Sequence, residues 1–282
     1  MLNLYQLMID SLVEEVQKAY QRTYSNMEPS IHNILGWTAR LALENIANTD
    51  ALYHNMEHTV LVTLAGQSIL EGKHIIEGGV SPLDWLHYTI ALLCHDIGYV
   101  NGVLRLDNGK HCATGIGDEM VRIPDSGTDI SLTPYHVDRS KQFVRERFGN
   151  NLLDNMDSLL DAERICSYIE LTRFPPPDSP EYKDTSGYAG LTRAADFIGQ
   201  LGDPNYLRKT PALYYEFEET DSNRKLGYTA PTDLRRSYAG FFWNIVNPYI
   251  QDAIRYLSVT QEGKQLIANL YAHVFTVEHD SD

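Results

Sequence analysis

The chain has 282 residues, of which 43% are hydrophobic and 22% are charged. This length and composition are typical of one large or two small globular domains with a substantial core. The 23 basic and 38 acidic side chains give a formal net charge of −15. That charge argues against a polymeric nucleic acid as partner, because proteins that bind one carry a basic face. A small anionic substrate is compatible with this net charge if metal ions supply the local positive charge.

The cysteine content and the hydropathy of the chain indicate the cellular compartment. The three cysteines have no close pairing, which argues against a disulfide framework and favours a reducing compartment. No stretch approaches the roughly 20 apolar residues of a membrane span, and the N-terminal sequence lacks the pattern of a signal peptide. We therefore expect a cytoplasmic protein without a membrane partner.

Helical periodicity and start signals mark the first half of the chain. Apolar residues recur at helical spacing over residues 3–24, and Pro29 suits the first turn of a second helix. Asn55 could cap a third helix. The Ser-Pro-Leu-Asp segment at 81–84 combines a capping box with a proline at the first helical position. The helix that follows is almost wholly apolar over residues 90–94, which predicts a central, buried helix.

The second half is also predicted to be helical, after a long segment at 100–131 that is rich in Gly, Asp and Asn. We expect that segment to be irregular, and loops of such length are functional or mobile. No run shows sustained alternation of period two, so the sequence predicts an all-α protein with one domain over 1–282, in which helices of residues 1–50 pack on a core of 51–257. The later helices are predicted from Thr133-Pro134, over 152–172, 190–201 and 211–220, over 233–257 with a bend at Pro248, and over 260–277.

The dipeptide His95-Asp96 follows the predicted buried helix directly. Imidazole and carboxylate are both ligands for divalent metals, and adjacent ligands can serve one ion or bridge two. His279-Asp280 repeats the dipeptide in a polar tail, so the apolar context is what distinguishes His95-Asp96. Cys94 adjoins the pair on an apolar helix, and we interpret it as a packing residue.

Asp196 lies in Leu-Thr-Arg-Ala-Ala-Asp-Phe-Ile, where a helix ought to bury apolar surface. Buried carboxylates are rare unless they are paired or bound to metal. Asp196 therefore either forms a salt bridge with Arg193 or Arg173 or binds a metal ion. His54 and His58 are four residues apart and share a helix face if the third helix begins early enough.

The order His58, His95-Asp96 and Asp196 on predicted helices resembles the signature of the HD superfamily of metal-dependent phosphohydrolases. The similarity extends to the catalytic domain of cyclic-nucleotide phosphodiesterases and covers roughly residues 50–255. The segments that resemble phosphodiesterase motifs are Tyr53-His54-Asn55-Met56-Glu57-His58, Pro134-Tyr135-His136, Ile169-Glu170-Leu171-Thr172 and Arg193-Ala194-Ala195-Asp196, with looser counterparts at Glu216-Phe217 and Asn247-Pro248-Tyr249.

The resemblance implies hydrolysis of a small anionic phosphate ester, such as a nucleotide or phosphodiester, by a water that one or two divalent ions (Mn, Fe, Zn, Ni or Mg) activate. Asp96 would bridge to a second ion and take part in catalysis, and His54 would protonate the leaving oxygen. The implied ligands of the first ion are His58, His95, Asp96 and Asp196. Further candidates for the substrate or a second ion are His136, Asn55, Arg173 and Gln200, with Arg193 as an alternative phosphate contact.

The chain departs from the phosphodiesterase pattern in two places. Ile97-Gly98-Tyr99 stands where those enzymes have a second acidic residue followed by a histidine, and Arg173 stands where they have an aspartate. We found no match for the glutamine that selects purines. We expect the loops at 100–131 and 174–189 to border the site and set substrate choice, because loops on rigid scaffolds usually carry specificity.

Two other functions fit the same residues. Di-iron oxygenases on the HD scaffold add two histidines between the His-Asp pair and the last aspartate, and His111 and His136 lie in that interval. Alternatively, the domain is not catalytic, and a metal ion only stabilises the fold or binds a partner. Two irons with oxygen-dependent turnover would favour the first alternative, and bound metal without turnover the second.

Overall fold

The computed structural model describes residues 3–149 and 159–280, and these are helical apart from short turns, loops and one two-stranded sheet. The predicted all-α fold is confirmed. Within the described residues, the helices are too short or too polar for a membrane span. The helices are α1 (Leu4–Tyr24), α2 (Pro29–Ile46), α3 (Met56–Glu77), α4 (Pro82–Cys94), α5 (His136–Phe148), α6 (Ala162–Glu170), α7 (Tyr188–Leu201), α8 (Tyr206–Glu219), α9 (Ser222–Leu226), α10 (Pro231–Arg236), α11 (Tyr238–Phe241), α12 (Asn247–Leu257) and α13 (Gln261–His279).

The capping residues set the starts of α3 and α4. Asn55 Oδ1 accepts a hydrogen bond of 2.9 Å from Glu57 N, and Ser81 Oγ accepts one of 3.1 Å from Asp84 N. These side chains satisfy N–H groups that have no partner within the first helical turn. Because Asn55 fixes the start of α3, His54 precedes the helix and does not lie on it.

The segment between α4 and α5 is more regular than the sequence indicated. It contains the 3-10 turns Ile97–Tyr99 and Asp129–Leu132 and the antiparallel strands β1 (His111–Ala113) and β2 (Met120–Arg122). The expectation of an irregular segment is therefore wrong at this point. Strands of three residues are too short to show an alternation of period two.

Arg139 of α5 holds this segment in place. Its guanidinium is fully buried, forms an ion pair of 2.9 Å with Asp107 and donates to the carbonyls of Gly98 (2.6 Å), Val100 (2.8 Å) and Ala113. A buried cation is tolerated only when a carboxylate and further acceptors surround it. These bonds therefore anchor the segment after His95-Asp96 to α5.

Several predicted helices have different bounds. Residues 159–161 are not helical, so α6 begins only at Ala162, whereas the predicted helix began at residue 152; residues 150–158 lie outside the described part. α8 begins before residue 211 and contains Pro211. The predicted helix over 233–257 is divided into α10, α11, a π-helical turn (Phe242–Val246) and α12, whose first turn contains Pro248.

The packing of α3 on α7 is the most extensive of the helix pairs. The two helices approach so closely at Gly199 that a Cβ there would lie 2.5 Å from Val62 Cα. The buried helix α4 packs against both. His58 lies on α3, His95 directly follows α4, and Asp196 lies on α7. This three-helix contact therefore brings the predicted metal ligands together.

We expect Gly199→Ala to lower the free energy of unfolding by about 1–3 kcal/mol, because the added methyl group must push α3 away from α7. Urea denaturation measures the change. Gly240→Ala is the control, since a Cβ at Gly240 would meet only Asn244 Nδ2 at 4.0 Å and alanine is the better helix former. Equal losses in the two variants would show that close packing at Gly199 is not the cause.

Candidate metal centre

Three helices bring imidazole and carboxylate groups to one point inside the molecule. His58 lies in the first turn of α3, His95-Asp96 directly follows α4, and Asp196 lies on α7. His58, His95 and Asp96 are buried, and the Asp196 side chain is 21% exposed. The cluster therefore lies in the core and reaches solvent at Asp196.

Of the five separations between the candidate ligand atoms, four are those that a common ion requires and the fifth is slightly longer. His58 Nε2 lies 3.4 Å from His95 Nε2, 3.2 Å from Asp96 Oδ2 and 3.3 Å from Asp196 Oδ1. His95 Nε2 lies 3.2 Å from Asp96 Oδ2 and 3.7 Å from Asp196 Oδ1. Atoms about 2.1 Å from one ion are roughly 3.0–3.4 Å apart in octahedral or tetrahedral geometry. His58, His95 and Asp196 could thus hold a metal ion, and Asp96 Oδ2 contacts the two histidine nitrogens.

The second nitrogens of the two histidines differ in their surroundings. His95 Nδ1 lies 2.7 Å from the Leu92 carbonyl, so its N–H is donated there and Nε2 is directed at the cluster. Among the described residues, no hydrogen-bond partner reaches the buried Nδ1 of His58. The orientation of His95 is therefore set by the helix backbone, and that of His58 by packing.

The imidazoles and carboxylates of the cluster compensate one another. Burial acts against the His58 cation, but hydrogen bonds to Asp196 and Asp96 outweigh it and raise the pKa of His58 to about 10. Burial acts likewise against the His95 cation, and the charge of Asp96 raises the pKa of His95. Burial also disfavours the Asp96 carboxylate, yet the two histidines hold the pKa of Asp96 well below its usual range. A divalent cation can take the place of the imidazole protons in this balance.

Asp96 directs its two oxygens to different partners. Oδ2 contacts His58 and His95, whereas Oδ1 lies 3.9 Å from His136 Nε2. His136 opens α5, and its Nδ1 lies 2.6 Å from the Thr133 carbonyl, which leaves Nε2 facing Asp96. Burial lowers the pKa of His136 and so favours the neutral form that binds metals. The Asp96 carboxylate therefore lies between the two histidines of the cluster and His136.

His54 is bonded to a buried glutamate whose role no sequence pattern indicated. His54 Nδ1 lies 2.6 Å from Glu216 Oε2, and Glu216 Oε1 accepts hydrogen bonds from the backbone N–H groups of Tyr53 (2.6 Å) and His54 (3.2 Å). Burial acts against the His54 cation, but the charge of Glu216 outweighs it and raises the pKa of His54. The His54 side chain is 20% exposed, so the ring lies between the buried Glu216 and solvent at the edge of the cluster.

Tyr99 lies between the two histidines that flank the cluster. Its ring centroid is 4.9 Å from that of His54 and 4.4 Å from that of His136, with interplanar angles of 28° and 11°. Tyr99 is buried, and stacking on both faces restricts the rotation of all three rings. No motif pointed to this residue, which occupies a position where the chain departs from the phosphodiesterases.

Two further candidates have hydrogen-bond partners next to the cluster. Asn55 uses Oδ1 to cap α3 and donates from Nδ2 to the Leu52 carbonyl at 2.9 Å. Gln200 lies one turn after Asp196 on α7, and its Nε2 is 3.4 Å from the Tyr206 hydroxyl. The structure thus places both near the candidate ligands, with Asn55 in a capping role.

The two candidate arginines are engaged elsewhere. Arg173 forms ion pairs with Glu170 (2.6 Å) and Asp138 (3.0 Å). Arg193 is buried, donates to two backbone carbonyls and lies over the Tyr249 ring at 4.0 Å. The ion-pair contacts of Asp196 in the described structure are to histidines. The alternative in which Asp196 pairs with either arginine is therefore wrong.

Fold and cluster together define an all-α protein with a His/Asp group that could hold a metal ion. The chain belongs to the Npun_R2479-like family, whose model matches residues 2–280. No curated protein matches the sequence.

We expect the protein to bind a divalent transition metal and to lose at least about 90% of its affinity in His58→Ala or Asp196→Asn, since each removes one ligand. Calorimetric titration with Mn²⁺ or Zn²⁺ measures the affinity, and circular dichroism verifies the fold. His54→Ala is the matched control, because His54 is bonded to Glu216. If His54→Ala loses metal as severely, the ligand assignment is incorrect.

The ion pairs of Arg173 predict a pH dependence of stability. Burial acts against the Glu170 carboxylate, but hydrogen bonds from Arg173, Lys141 and Tyr182 outweigh it and lower the pKa of Glu170 from 4.5 to about 2. The ionised Glu170 carboxylate therefore makes its full contribution to the free energy of unfolding above about pH 4.5, and this contribution is lost as the pH falls towards 2. The difference in unfolding free energy between wild type and Glu170→Gln should shrink over that interval. A difference in unfolding free energy that does not change with pH would contradict the lowered pKa of Glu170.

Proposed function

We propose that this protein is a metal-dependent phosphohydrolase that uses a metal-activated water to cleave a phosphate ester, such as a nucleotide or a phosphodiester.

 The observation that carries the proposal is the convergence of two imidazoles and two carboxylates at separations of 3.2–3.7 Å. Such a donor set leaves coordination positions open, as a hydrolytic site requires. A divalent ion held by these residues would lower the pKa of a water molecule and would supply positive charge for the phosphoryl oxygens.

The donor set also bears on the identity of the metal. Imidazole nitrogens suit Fe, Ni and Zn, whereas Mg prefers a shell made of oxygen ligands. His58 and His95 each contribute a nitrogen, and His136 would add a third at a second position next to Asp96 Oδ1. We therefore favour a transition metal over Mg, with Asp96 as the residue shared between two positions.

His54 is the residue proposed to give a proton to the leaving oxygen. Glu216 fixes Nδ1 of His54 and stabilises its charged form, so the second ring nitrogen is free to donate. The partial exposure of His54 gives a substrate access to the ring. General acid catalysis of this kind contributes about 10²–10⁴ to the rate.

The structure gives less support to the alternatives. A di-iron oxygenase on this scaffold needs two further histidines, but His111 lies exposed on β1, and only His136 of that pair faces the cluster. A metal ion that serves the fold alone has no use for the bonded pair of His54 and Glu216. These two observations favour hydrolysis.

A screen of phosphate mono- and diesters with added divalent metals tests the function. We expect turnover of at least one ester that requires the metal and stops on chelation. Oxygen-dependent turnover with two irons per chain would favour the oxygenase instead. Tightly held metal without turnover on the whole panel would favour the binding domain.

We expect His54→Ala to lower turnover of an alkyl phosphate ester by about 10²–10⁴-fold. The loss should be much smaller for a nitrophenyl ester, whose leaving oxygen hardly needs a proton. Glu216→Gln should likewise lower turnover of the alkyl ester more than turnover of the nitrophenyl ester, because it removes the charge that holds the proton on His54.

The control for this experiment is His58→Ala, which should lose the metal and both activities together. Steady-state rates on the two esters, with metal content measured on the same samples, distinguish loss of the general acid from loss of the metal. Equal losses on both esters in His54→Ala would mean that His54 positions the substrate or supports the metal and is not the acid.

A further inference from the structure

A groove of about 800 Å³ runs along α3 between the first and last helices, α1 and α13. Part of its floor is a stripe on α3 made of Leu61, Leu64, Ala65 and Ser68. Leu64 is 38% exposed, which is high for a leucine on a helix with neighbours on both sides. The end of α7 around Gly199 closes one side of the groove.

The spacing of this stripe is that of a helix–helix contact. Its positions follow the pattern i, i+3, i+4 and i+7, which places them on one face over about two turns, or roughly 10 Å. A face of this kind is normally covered by another helix. α1 and α13 both contact α3, but they flank the stripe and leave Leu64 exposed.

The charges at one end of the groove are unbalanced. Arg22 of α1 forms a salt bridge of 2.9 Å with Glu71 of α3, and this bond together with the charges of Glu15 and Glu262 raises the pKa of Arg22. The groove is thus lined by four carboxylates, those of Glu15, Glu71, Asp203 and Glu262, and by the single guanidinium of Arg22. Two of these carboxylates have lysine neighbours, Lys18 at 3.7 Å from Glu15 and Lys209 at 2.5 Å from Asp203. An additional cation at this end would be attracted by Glu262 in the first turn of α13.

We propose that the groove binds a basic amphipathic helix of a partner protein. The apolar face of that helix lies on the stripe of α3, and a lysine or arginine of the partner lies beside Glu262. Helices bind apolar grooves through residues at this same spacing, and opposite charges at the rim select the partner and speed its association. The net charge of −15 favours a basic partner over an acidic one. The proposal does not depend on the proposed catalytic function.

The probe is a helical peptide of about 18 residues with leucine on one face and lysine on the other. A matched peptide carries glutamate in place of lysine. Fluorescence anisotropy measures binding to the full chain, and hydrogen exchange maps it. We expect the basic peptide alone to bind, with protection of residues 61–71 of α3 and of the first turns of α13.

Two pairs of variants locate the site. Leu64→Lys should weaken binding by at least about tenfold, whereas Ile75→Lys should not, because Ile75 is an exposed residue of the same helix outside the groove. Glu262→Lys should also weaken binding, and Glu14→Lys should not, since Glu14 is exposed on α1 and does not line the groove.

Three results would overturn the proposal. The first is the absence of binding by the basic peptide, and the second is equal binding of the two peptides or equal effects within a variant pair. The third is a dimer of the wild-type chain in sedimentation that Leu64→Lys dissociates, because a second copy would then be the occupant of the groove.

Discussion

Two imidazoles and two carboxylates meet inside an apolar core, and the fold depends on their mutual compensation. An unpaired buried charge costs several kcal/mol, so each of these groups requires its opposite within contact distance. The distances of 3.2–3.7 Å between the histidine nitrogens and the carboxylate oxygens meet that condition. Because the four groups come from α3, α4 and α7, the relative placement of these helices is tied to the electrostatics of the cluster.

A second layer of residues restricts the groups around the cluster. Arg139 binds the carbonyls of the segment that follows Asp96, and that segment carries Tyr99. Tyr99 in turn stacks on His54 and His136. A chain of contacts thus runs from a fully buried arginine to the two histidines that flank the candidate metal ligands, and it fixes their rings without using their nitrogen atoms.

The sequence allowed the helix starts and the cluster to be predicted because their signals are local. Asn55 caps the helix it precedes, and His58, His95 and Asp196 are visible as polar residues in apolar helices. Glu216 could not be assigned a role in the same way, because its bond to the Tyr53 backbone joins positions 163 residues apart. Stacking by a tyrosine and short strands likewise depend on tertiary contacts that leave no periodic pattern in the sequence.

Charge explains why substrate binding and catalysis would depend on the same ions in the proposed phosphohydrolase. With a net charge of −15, the protein as a whole repels an anionic ester, although salt screens this repulsion beyond about 8–10 Å. Attraction must therefore come from cations within the site. Arg173 is engaged with Glu170 and Asp138, and Arg193 with backbone carbonyls. In the proposed enzyme, His54 and a metal ion held beside Asp96 would attract the phosphate, so removal of the metal would weaken substrate binding as well as turnover.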